Sequence, residues 1–272
     1  VARNAVDGEA QVDRWALILG VSSGFGAAAA RAFAREGLGI LGVHLDRRAA
    51  LPAVEALEAE LRDCGVPVAF FNLNAAAADK RAAVVQAAQD HVGDGTIGVL
   101  LHSLAFGTLR PFVPAPGSTA RVSTPRNVDM TLDVMAHSLV YWVQDLVGAG
   151  LLGPGGRVFA MTSGGSQRVF PSYGPVSAAK AALESHVRQL ALELAPHRIT
   201  VNAVMAGVTD TPALRKIPGH EAIMAQARAR NPHGRLTRPE DVASCLVALA
   251  GPGTHWLTGN VLQVDGGELV SA

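Results

Sequence analysis

Residues 15–37, WALILGVSSGFGAAAARAFAREG, run from an apolar stretch into a glycine-rich turn and then into an alanine-rich helical segment that stops at Gly37. The order is strand, turn, helix. Gly20, Gly24 and Gly26 occupy the turn. Glycines there permit a tight bend and let the backbone approach a pyrophosphate, whose charge then meets the helix N-terminus. Three glycines can also serve packing alone, so the segments that follow decide between the two.

Those segments alternate. Residues 38–46 read as a second strand, 51–65 as a helix, 66–74 as a third strand, 79–93 as a helix and 97–107 as a fourth strand. A proline-rich stretch, 110–127, reads as a loop too long for a plain connector, and 128–150 as one long helix. Then come a strand at 155–163, a helix over about 175–194, a strand at 198–207, a helical excursion at 210–240, a helix at 239–251 and a strand at 260–267. Alternation of this kind implies parallel pairing with right-handed crossovers. The expected fold is α/β: one doubly wound parallel sheet with helices on both faces. Ligands of such sheets collect at the carboxyl ends of the strands, which favours dinucleotide binding at the glycine turn. No internal repeat or linker-like break appears, so residues 1–272 are expected to form one domain, with 1–12 a tail.

Composition excludes other classes. The chain has 49% hydrophobic and 17% charged residues, with 23 Lys plus Arg against 23 Asp plus Glu. Zero net charge gives no global attraction to nucleic acid or to an anionic membrane. Cys64 and Cys245 form no C-x-x-C pattern and read as reduced core thiols. The histidines show no metal-binding i, i+4 pair, so no metal is expected. No apolar leader and no run of about 18 apolar residues is found, and a soluble cytoplasmic protein is expected.

After the second strand the charges conflict. Asp46 could accept hydrogen bonds from an adenine ribose 2′-hydroxyl, whereas Arg47 and Arg48 could clamp a 2′-phosphate. The choice between NADH and NADPH stays open. A second conflict lies in SYGPVSAAK, residues 172–180. Tyr173 and Lys180 suggest proton chemistry, yet a tyrosine sharing the lysine's helix face would stand four residues before it, where the chain has Val176. Pro175 suits the first turn of a helix, which leaves Tyr173 projecting from the loop before it.

With the glycine turn, Ser163, Lys180 and VDGG at 264–267 in this order, the chain resembles the short-chain dehydrogenase/reductase family over roughly residues 12–268. Ser163 lies 17 residues before Lys180, and SAAKAAL at 177–183 resembles that family's active-site helix. Family members acting on alcohols and ketones place a tyrosine at the Val176 position, Asn-Asn-Ala-Gly where this chain has His102-Ser103-Leu104-Ala105, and an asparagine near Met135. These departures resemble the enoyl-acyl-carrier-protein reductase branch, with its His-Ser segment and a tyrosine seven residues before the lysine. The second tyrosine of that branch's commonest form is Ser163 here.

The resemblance implies a Rossmann-type fold with NADH or NADPH held by Gly20, Ser22, Ser23, Gly24, Phe25 and Gly26 in the first turn. Asp46, Arg47 and Asn74 would follow the next strands, and Ser103 and Leu104 the fourth. Gly207, Thr209 and Thr211 would close over the nicotinamide end, and residues 207–236 would form a small helical lid. Tyr173 would donate to the thioester oxygen, and Lys180 would hold the ribose and lower the tyrosine's pKa. Ser163 would bind substrate or orient Tyr173. Phe106, Met161, Phe170 and Met205 are candidates for an acyl channel, and His102 for a structural brace.

The displacement has a chemical reason. Ketone reduction puts hydride on the carbon that bears the oxygen; enoyl thioester reduction puts it on the β-carbon, several bonds from the enolate oxygen. A hydroxyl set further back fits the second case. The expected activity is therefore NAD(P)H-dependent reduction of a trans-2-enoyl thioester of acyl carrier protein or coenzyme A, in fatty acid biosynthesis. A carbonyl reductase or hydroxy-compound dehydrogenase and a non-catalytic dinucleotide sensor are the alternatives. A homotetramer through the two long helices is implied by the resemblance alone.

Overall fold

The computed structural model describes residues 12–271, so the tail expected at 1–12 lies, except for Val12, outside the described residues. Seven parallel strands form one sheet: β1 (Arg14–Leu19), β2 (Gly39–His44), β3 (Val68–Asn72), β4 (Thr96–His102), β5 (Arg157–Thr162), β6 (Thr200–Ala206) and β7 (Val261–Val264), in the order β3-β2-β1-β4-β5-β6-β7. The order reverses between β1 and β4, which opens a crevice at their carboxyl ends. Helices α1 (Gly24–Arg35), α2 (Leu51–Arg62), α3 (Ala78–Val92), α4 (Pro125–Leu132), α5 (Ser138–Gly148), α6 (Gly174–Leu194), α7 (His220–Arg230) and α8 (Pro239–Ala250) complete the chain.

The alternation of side chains along each strand builds two cores. In β1, Leu17 and Leu19 join a core with α3, α5 and α6, whereas Ala16 and Ile18 join a second core with α1, α2 and α8. In β1, β2, β4, β5 and β6 both faces are buried, which is why these strands read as continuous apolar runs.

The segment read as one long helix, 128–150, is α4 and α5 joined by a π-helical turn at Asp133–His137. Ser138 explains the break: its hydroxyl donates to the Val134 carbonyl at 2.8 Å and also contacts His102 Nε2 at 2.8 Å. Tying the helix to β4 in this way draws one extra residue into the turn. The cysteine expectation is corrected. Both thiols are free, but Cys64 lies in the turn after α2 and is exposed, and Cys245 is half-buried. No helix among the described residues is long and apolar enough to cross a membrane.

Candidate active site

The glycine turn is built as the sequence implies, and the three glycines do different work. Gly20 has φ +91°, and a Cβ there would lie 2.5 Å from the Ser103 carbonyl oxygen after β4. A Cβ on Gly26 would overlap the Gly20 carbonyl, so that glycine lets α1 pack onto its own turn. Gly24 has φ +54° and faces the Thr211 methyl group, which joins the loop after β6 to the turn. Ser23 is the N-cap of α1 but makes no side-chain capping bond, and the first turn of α1 carries no acidic residue. The helix N-terminus therefore offers N–H groups with no side-chain cap and no acidic neighbour on a glycine-built turn, a fit to a dinucleotide pyrophosphate.

At the ends of β2 and β3, Asp46 is held from three sides. Its carboxylate meets His44 Nδ1 at 3.0 Å, its N–H donates to Asn72 Oδ1 at 3.0 Å, and its carbonyl accepts from Asn72 Nδ2 at 3.0 Å. Arg47 and Arg48 are exposed. Asn74 is committed elsewhere: its side chain accepts from the Ala76 N–H at 3.0 Å and shapes the start of α3. His44 and Asn72 were not identifiable as candidates from sequence, since a strand-end histidine and an asparagine carry no pattern of their own.

Tyr173 stands at the N-cap of α6 and follows Ser172, which has φ +61°, a left-handed conformation that turns the chain before the helix. Gly174 belongs to the helix, not to an extended lead-in. The Tyr173 ring is fixed on two sides: it packs edge-on to Phe170 at 5.9 Å, and a Cβ on Gly165 would overlap it. Its hydroxyl lies 3.5 Å from Ser163 Oγ. Burial pushes the Tyr173 hydroxyl pKa up, and the contact with Ser163 works against that rise.

The expected lowering by Lys180 is not what the structure holds. Lys180 Nζ is buried and donates to the Met161 carbonyl at 2.7 Å. Burial brings the Lys180 ammonium down to about 8, against the opposing pull of Glu184. Glu184 is itself buried and accepts from Thr162 Oγ1 at 2.6 Å. Its signal was present in sequence. Positions 176, 179, 180, 183, 184, 187, 190 and 191 form the buried stripe of α6, and two of them are charged.

The position where alcohol-oxidising relatives carry their tyrosine is filled differently. Val176 and Met135 are 4% and 3% exposed. Both press on Gly107, where a Cβ would lie 2.8 Å from Val176 Cγ2, Met135 Sδ and Thr131 Cγ2. His102 is a brace as expected, fully buried on Ser138, and burial with the nearby Lys180 charge holds its pKa at about 3.

The acyl-channel candidates divide. Phe106 and Phe170 are exposed, and Phe112, missed in sequence, lies against the Cα face of Gly174 beside Tyr173. Met161 and Met205 are corrected to packing residues: at 5% and 0% exposure they are buried inside β5 and β6. Gly207 and Thr209 form a tight turn, with Thr209 Oγ1 donating to the Gly207 carbonyl at 2.9 Å. Glu268 accepts from the Val208 N–H at 2.9 Å and anchors that loop. The 207–236 segment, expected as a lid, contains a short 3-10 turn, Leu214–Lys216, and α7. Two arginines of this segment are paired, Arg215 with Asp210 at 2.7 Å and Arg235 with Asp241 at 2.6 Å. No cluster of three metal-ligating side chains occurs among the described residues.

A parallel sheet with a glycine cradle at its switch point, a serine just after β5 within reach of the Tyr173 hydroxyl, and a buried lysine on α6 define a dinucleotide-dependent oxidoreductase. A family model described as Enoyl-(Acyl carrier protein) reductase matches residues 20–268, and the chain belongs to this family of short-chain dehydrogenases/reductases. The enoyl-[acyl-carrier-protein] reductase [NADH] of Aquifex aeolicus is 31% identical over 173 residues, which span 64% of this chain and 62% of that one. That match covers less than two thirds of the relative's length. The cis-4-hydroxycyclohexanecarboxylate dehydrogenase of Sinomonas cyclohexanicum is also 31% identical, over 96% of this chain and 98% of that one. Among solved structures, the 3-oxoacyl-[acyl-carrier protein] reductase from Brucella melitensis in complex with NAD is similar with a TM-score of 0.82. It is 27% identical and covers 97% of this chain and 100% of that one.

Proposed function

We propose that this protein reduces the carbon–carbon double bond of a trans-2-enoyl thioester at the expense of NADH or NADPH. The observation that carries the reading is the exchange at the head of α6: Val176 and Met135 are buried against Gly107, while the phenol is moved to Tyr173, ahead of the helix. A phenol set back in this way suits an oxygen remote from the carbon that gains hydride.

When bound, the dinucleotide supplies the hydride for the β-carbon. The chain's own residues do the rest. The first turn of α1 would hold the pyrophosphate, and Lys180 would serve the ribose end of the dinucleotide. Tyr173 keeps its proton because burial holds its pKa up, so it donates a hydrogen bond to the thioester oxygen as enolate charge develops. Ser163 is within reach of the Tyr173 hydroxyl and orients it. Phe106, Phe112 and Phe170 give the acyl chain an apolar rim. Further elements of the reading are a coenzyme A or acyl-carrier-protein handle and a homotetramer packed through α5 and α6.

A second reading, reduction of a ketone or oxidation of a hydroxy compound, is favoured by the full-length likeness to a hydroxycyclohexanecarboxylate dehydrogenase and a 3-oxoacyl reductase. Following NADH and NADPH oxidation with crotonyl and longer 2-enoyl thioesters beside a ketone panel separates the two. Turnover of ketones alone would discard the first reading.

A further inference from the structure

We infer that Glu184 is a positioning residue for Lys180, a buried carboxylate whose charge keeps the lysine an ammonium directed at the carboxyl end of β5. The inference rests on the reading that Lys180 serves the bound dinucleotide. Glu184 lies one helical turn after Lys180, and both sit in the buried stripe of α6 at 8% and 6% exposure. A lysine at such depth loses its proton readily unless an opposite charge is near.

The groups around Lys180 leave Glu184 alone in that role. From β5 comes the Met161 carbonyl, a neutral acceptor at 2.7 Å. From β4 comes His102, neutral and bound through Nε2 to Ser138, with Nδ1 unpartnered. At the head of α6 stands Tyr173, whose contact is Ser163. Glu184 is the acidic side chain of that buried stripe, and Thr162 Oγ1 donates to its Oε1 at 2.6 Å, which fixes its orientation. Glu184 acts through space, since the nearest acceptor of the lysine proton is the Met161 carbonyl. Thr162 thus connects β5 to the charge state of the lysine one turn earlier on α6.

The chain makes this directly measurable, because it holds only three lysines, Lys80, Lys180 and Lys216. In protein grown on lysine labelled with carbon-13 at Cε, the Lys180 signal is identified by its loss in Lys180→Met. Its titration is then followed without cofactor or substrate, so the outcome is independent of which reaction the enzyme performs. In Glu184→Gln, which keeps the Thr162 hydrogen bond and the side-chain volume, the Lys180 midpoint falls by at least about one pH unit. In Glu184→Asp it stays closer to the parent. NADH affinity measured by calorimetry in Glu184→Gln starts to weaken at a correspondingly lower pH. An unchanged Lys180 midpoint in Glu184→Gln, or an equal fall in Glu184→Gln and Glu184→Asp, overturns the inference. Should Glu184→Gln fail to fold, Thr162→Val supplies the reading: loss of the hydrogen bond to Glu184 moves the Lys180 midpoint, and no movement counts against the role.

Discussion

Replacing Tyr173 with phenylalanine removes one oxygen and leaves the ring. The ring's support is unaltered, because its contact with Phe170 and its seat over Gly165 involve carbon only. The lost hydroxyl contact to Ser163, at 3.5 Å, is long for a hydrogen bond, so the stability cost is at the low end of about 0.5–1.5 kcal/mol. Lys180 is held by the Met161 carbonyl, not by Tyr173, so the cofactor site keeps its charge and shape. Removal of one preorganised donor to a developing oxyanion costs about 2.7–4 kcal/mol, or roughly 10²–10³ in kcat. Steady-state NADH oxidation with a 2-enoyl thioester should show that drop, and calorimetry should give an NADH Kd within about twofold of the parent. A comparable loss in NADH affinity would refute the reasoning, since Tyr173 would then be holding the cofactor site together.

Three further outcomes are expected. Asp46, fixed by His44 and Asn72, should make NADH bind at least about tenfold more tightly than NADPH, and Asp46→Ser should narrow that gap; equal affinities by calorimetry would reassign the selection to Arg47 and Arg48. His102 binds its proton at about 3 when folded and near 6.5 when unfolded, so the unfolded chain takes up more protons as pH falls through that window. Stability is therefore lost on acidification below pH 6.5, by about 2 kcal/mol at pH 5, and urea melts of His102→Gln should lack that part of the slope. For Tyr173, whose pKa is raised by burial, any fall of kcat from loss of the phenolic proton should come at a higher pH than for an ordinary tyrosine, about 10.

The sheet was legible because β1, β2, β4, β5 and β6 are buried on both faces and therefore appear as apolar runs, each followed by a helix with its own stop signal. Ser163, Tyr173 and Lys180 were singled out by the family resemblance, and the fold brings the Ser163 and Tyr173 hydroxyls within 3.5 Å of each other. What sequence could not supply was direction. The long helix at 128–150 contains no proline to mark a break, and its π-helical turn comes from Ser138 reaching both Val134 and His102, a partner 36 residues away. The Lys180 charge was expected to lower the Tyr173 pKa, but its side chain follows the buried stripe of α6 to the Met161 carbonyl. Met161 and Met205 resembled channel residues only because a flexible apolar side chain suits a channel and a core equally. Asn72, which secures Asp46, comes from a strand two positions away in the sheet order from β1, where local pattern carries no information.

In the proposed reaction, hydride is delivered to a carbon remote from the oxygen that Tyr173 serves. Single-turnover reduction of a 2-enoyl thioester with NADH or NADPH deuterated at nicotinamide C4, followed by mass spectrometry and NMR of the product, tests it directly. The account predicts one deuterium at the β-carbon of a saturated thioester, with the α-carbon carrying a solvent proton. An unchanged enoyl thioester, together with deuterium on the carbinol carbon of an alcohol formed from a ketone, would contradict it.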